Sequence, residues 1–198
     1  MTNTARIVSS LGLLGFCVFF NQAQEADPIS HVLVQLPLLA ISGSLFVTGM
    51  GAGDLHLAEP LANALSLLAV AAMLFWMLPR YIDAALVDPV VATAKFVSIP
   101  LLVGGSFAWG WAKSHPFLRG FLKANAISML GVLAFLYIHA PVRICNSYLV
   151  ADQEQLGFAF FMTAIGLAVA WSIPLFVPPR KEASLFRFLK FSIKNNGV

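Results

Sequence analysis

MLPRYIDAALVDPVVATAKFVSIPLLVGGSFAWGW, Met77 to Trp111, decides how this chain is read. It carries a short polar connector, LPRYIDAALVDP, into an apolar run interrupted near its start by Lys95. A second connector, APVRICNSYLVADQEQ from Ala140 to Gln155, likewise stands between two long apolar runs. Neither run alternates polar with apolar residues, so helices are expected rather than barrel strands.

Composition leads to the same place. Of the 198 residues 59% are hydrophobic and 11% charged, and the mean hydropathy is +0.84. A soluble domain carries roughly a quarter charged residues, so this chain lacks the polar surface to cover a water-soluble globule. Lipid offers backbone N–H and C=O groups no partner, and helices satisfy them internally. The expected fold is all-α, a polytopic membrane bundle.

Outward from the central stretch the runs are Ile7–Phe20, His31–Gly53, Leu61–Leu78, Val90–Ala112, Phe121–Ile138 and Leu156–Val177. Those after the first are long enough to cross about 30 Å of hydrocarbon at about 1.5 Å per residue. The first, short and flanked by Arg6, reads as an uncleaved signal anchor or first spanning helix. Pro37 is expected to bend the second helix. Residues 1–20 thus form the anchor, 21–178 a membrane domain and 179–198 a cytoplasmic tail. In that tail Arg187, Lys190 and Lys194 share a stripe, with Leu185, Phe186, Phe188, Leu189 and Ile193 over the rest. That pattern predicts a basic amphipathic helix on anionic lipid.

Six crossings bring both termini to one side. That side collects Arg6, Lys113, Arg119, Lys123, Arg180, Lys181, Arg187, Lys190 and Lys194, nine of the twelve basic residues. The positive-inside rule makes it cytoplasmic, and in a bacterium the protein is expected in the inner membrane. Glu25, Asp27, Asp83, Asp88, Asp152 and Glu154 fall outside.

His31 opens the second run and His139 closes the fifth, so both imidazoles are expected near the outer interface, with Cys145 in the connector beyond. Imidazole, thiolate and the thioethers of Met77 and Met162 form the donor set a soft ion such as Cu(I) prefers. His31, His139 and Cys145 are therefore the candidate metal residues, with ordinary packing as the alternative role. Two histidines at one depth also suit bis-imidazole haem. Lys95 is expected to snorkel to the interface and pair with Asp83 or Asp88. Gly49, Gly51 and Gly53 resemble a nucleotide-loop fragment, but no strand precedes them and no lysine follows. With no Ser-His-Asp spacing and no framed carboxylate pair, an enzyme is not expected.

LPRYIDAALVDPVV resembles the segment of CtaG-like cytochrome c oxidase assembly proteins that reads approximately LPxLYDAALxxPxxHxxEH. ADQEQLGFAFFMTAIG is similar to that family's DQQLAGLxMWxPG, and SHVLVQLPLLAISG to its HMxxHxLLxxxxxP opening. The three segments occur in family order over most of residues 30–178. The resemblance implies a polytopic protein that helps deliver copper to a copper-haem respiratory oxidase, with lipid and other membrane subunits as partners. Of the histidines behind that role only His31 maps. Gln35 stands at the second histidine, and Thr93, Ala94 and Lys95 stand where His and Glu-His belong. The leading expectation is accessory or assembly work for such an oxidase, with Cu(I) handled through His31, His139 and Cys145; a non-catalytic subunit of another membrane redox complex is the alternative, and a haem b-carrying electron-transfer subunit the third expectation.

Overall fold

A computed structural model describes residues 2–51, 57–139 and 148–176. Among these the chain is helical and contains no strand. Helix α1 spans Asn3–Phe19 and α2 Asn21–Glu25. They are followed by α3, Ser30–Gly49, and α4, Glu59–Trp76. A short α5, Pro79–Val87, precedes α6, Pro89–Lys113. Helix α7 is Pro116–His139, and α8 is Val150–Phe176. Met1–Ala164 forms one compact unit and Ile165–Val198 a second.

Five helices, α3, α4, α6, α7 and α8, are long and apolar enough to cross a bilayer. The architecture is that of a multi-pass membrane protein. Helix α1 is apolar and shorter, with 17 residues and about 25 Å of rise, at the lower end of the lengths that span a bilayer. The described residues end before the basic tail, so the expected amphipathic helix lies outside them, as do Arg143 and Cys145.

Prolines set the local shape of two spans. Pro37 lacks the N–H for an ordinary helical bond and crowds the carbonyl four residues earlier. The helix answers by widening: Ser30–Gln35 forms π turns immediately before it. Ile99–Gly105, which contains Pro100, is widened in the same way within α6. Such π segments re-aim side chains. Here they lie on the two helices that supply the polar centre described below.

The helices approach closely through small residues, the usual means of association where lipid removes the hydrophobic drive. A Cβ on Gly43 would stand 1.9 Å from the Pro100 carbonyl oxygen, and one on Gly104 would stand 2.2 Å from that of Ala40. Backbone therefore meets backbone where α3 crosses α6. The Ser44 hydroxyl donates across this crossing to the Gly104 carbonyl at 2.9 Å. Helix α1 joins the same group, with Ser10 donating to the Ser42 carbonyl at 2.7 Å. Gly110 brings α6 against Ala62 and Ser66 of α4, and Gly157 brings α8 against Tyr137 and Ile138 of α7.

The outer surface is apolar. Phe19, Val87 and Phe117 are about four-fifths exposed, as suits side chains solvated by acyl chains. Burial instead takes in Gln35, Ser42, Ser66, Ser106 and Gln153 beside Leu36, Leu39, Ile99 and Phe160.

Candidate functional site

The polar centre begins with local helix signals. Asp27 accepts from the Ser30 N–H at 2.8 Å and so starts α3, placing His31 and Gln35 one turn apart on its first, widened stretch. Asp88 does the same for α6, accepting from the Val90 N–H at 2.8 Å, with Pro89 at the first helical position. Lys95 follows about 9 Å further along the helix. Helix α2 ends at Glu25.

These elements bring Lys95 into the interior, where it is 1% exposed. The expectation that it pairs with Asp83 or Asp88 is corrected. Its ammonium donates to the Glu25 carboxylate at 2.5 Å, and Asp88 is spent on the helix cap. It also donates to the Gln35 amide oxygen at 2.8 Å and lies 3.2 Å from His31 Nε2. A buried charge is costly unless paired and fully hydrogen-bonded. Glu25 supplies the opposite charge, and three acceptors match the three ammonium protons.

Because an ammonium can only donate, His31 accepts at Nε2 and carries its proton on Nδ1. Nδ1 lies 3.1 Å from the Tyr148 hydroxyl. That hydroxyl in turn donates to the Glu25 backbone carbonyl at 2.9 Å. The chain of bonds runs from Lys95 through His31 and Tyr148 to Glu25 and back to Lys95, a closed circuit. Outside it, the Gln35 amide donates to Asn21 Oδ1 at 3.0 Å. The Phe96 ring centroid lies 4.9 Å from the ammonium, a cation–π distance. Cys17 is buried as well.

Comparison of the chain with family models, with curated proteins and with solved structures finds no match.

Of the expected metal residues the structure describes His31 and His139. Both ring nitrogens of His31 are engaged, one by a cation. His139 is exposed, with Nδ1 3.0 Å from the Phe135 carbonyl oxygen and its ring stacked on Phe135 at 4.5 Å. Cys145 lies outside the described residues. Met77 packs against the core, whereas Met162 is 59% exposed. Copper does not fit His31 in this arrangement, because an ammonium stands where the ion would approach the nitrogen. Nor does axial haem ligation fit, since His31 Nε2 already has its partner. Among the described residues no three His, Cys, Asp or Glu side chains form a metal-holding group.

Glu25, Gln35 and Tyr148 are the residues that sequence reasoning did not place here. One signal pointed to Glu25: a lysine within a spanning helix needs a counter-charge, and Glu25 is among the outer acids. Gln35 and Tyr148 carried no comparable mark.

Proposed function

We propose that this protein is a multi-pass accessory or assembly protein of a respiratory copper-haem oxidase, working without copper at His31. One observation supports the copper-free form of the reading. The Lys95 ammonium joins His31, Gln35 and Glu25 in a satisfied, buried cluster. His31, Gln35 and Lys95 are positions at which the CtaG-like resemblance puts histidines and a Glu-His pair. A chain that retains the helices and substitutes an internal ion pair for the ligands keeps a surface for docking to membrane subunits and loses the donors for metal transfer. Service as a non-catalytic subunit of another membrane redox complex uses the same features. In this reading the protein resides in a bacterial inner membrane with both termini in the cytoplasm.

The test is mild-detergent purification of the tagged, full-length chain from its native membranes. Oxidase subunits with their haem absorbance are expected to accompany it, and copper that follows this chain alone is not. A chain that purifies without partners and holds one copper, lost on His31→Ala, would overturn the proposal. Co-purification with a different haem-bearing complex favours the second use.

A further inference from the structure

Glu25, His31 and Gln35 come from two helices, and their acceptor atoms converge on one buried point. A carboxylate oxygen, an imidazole nitrogen and an amide oxygen all lie within 3.2 Å of it. Each presents a lone pair, so the point is suited to a cation whatever its identity. The atom found there is Lys95 Nζ, on a side chain entering from α6.

We propose that this is a cation-binding site whose resident ion is the chain's own ammonium, and that shortening Lys95 opens it to a divalent transition metal held by Glu25, His31 and Gln35. One imidazole and two oxygen donors suit a borderline ion such as Co²⁺ or Zn²⁺. The volume left by the lysine stem admits water to complete the coordination, as in three-ligand zinc sites. Two features keep metal out of the native protein. The ammonium already neutralises the Glu25 charge, and a second cation at His31 Nε2 would face it at contact distance, where Coulomb repulsion in a low-dielectric interior is strong. The site is thus self-filled. The inference is independent of which complex the protein serves, because metal titration of the isolated chain reads one and co-purification reads the other.

The experiment titrates Co²⁺ into the detergent-solubilised full-length chain, following visible d–d absorption and thermal unfolding. Wild type is expected to show no His31-dependent Co²⁺ band. Lys95→Ala is expected to bind one Co²⁺ per chain and to unfold at a higher temperature with the ion than without it, and His31→Ala in that background is expected to abolish both effects. Lys95→Met, which keeps the stem volume and loses the charge, should be destabilised yet gain no ion. A helical Lys95→Ala protein that takes up no Co²⁺ overturns the proposal. Should Lys95→Ala not fold, wild type still decides: a Co²⁺ band lost on His31→Gln overturns the self-filled site, and a silent titration supports it.

Discussion

His31 Nε2 lies 3.2 Å from the Lys95 ammonium, across sixty-four positions of chain. This contact sets the imidazole's donor and acceptor roles and so fixes its bond to Tyr148. Glu25 closes the circuit from the other side, and its side chain is 12% exposed. The cluster ties the segment after α1, the start of α3, the start of α6 and the segment before α8.

Removing one charge should cost more than removing both. Glu25→Gln leaves the buried ammonium uncompensated and is expected to lower stability by about 3–5 kcal/mol. Combining it with Lys95→Met removes the stranded charge and should recover a large part of that loss. Thermal unfolding of the two single variants and the double variant in one detergent gives the coupling directly. Additive effects would show that the ion pair is not the stabilising unit.

Tyr148→Phe retains the ring and removes the hydroxyl that accepts from His31 and donates to Glu25. The buried imidazole N–H then has no partner at that position, at a cost of about 1–3 kcal/mol. Chemical-denaturant midpoints measured at equal slope check this value. An unchanged midpoint would mean that water reaches Nδ1 at no cost.

The crossing of α3 and α6 is expected to be intolerant of a single methyl. In Gly43→Ala the new Cβ meets backbone, not a side chain that can swing away. The two helices must separate, at about 3 kcal/mol or more. Gly131→Ala is the control, since nothing stands within 4 Å of its Cβ position, and it should change stability by no more than about 1 kcal/mol. Both are read from melting curves of the purified proteins.

The membrane orientation is testable apart from the site. A phosphatase active only outside the cytoplasm, fused after Val198, should be inactive. The same enzyme inserted beside Asp83 should be active. The reverse pattern would invert the assignment from basic residues.

Five of the long apolar runs were legible because hydropathy is summed over many residues, and a bilayer punishes errors over that length. The fourth run was expected from Val90, and the helix starts one residue earlier at Pro89, with Asp88 as its cap. Pro37 was legible as a perturbation, and a wide π stretch stands immediately before it. Lys95 was legible as unusual but was given the wrong counter-charge. A snorkelling lysine and a paired buried one share the same local sequence, and only a distant carboxylate distinguishes them.

Solvent preference and helix punctuation, both carried by residues near one another in the chain, therefore settle the all-helical membrane architecture without further information. Whether His31 faces a metal, a haem or a lysine is not a local matter. It depends on close crossings at Gly43 and Gly104 that bring α3 against α6, and on Glu25 and Tyr148 arriving from opposite ends of the chain. A charge buried among lipid-solvated helices takes whichever partner the packing delivers, and here the packing delivers Glu25.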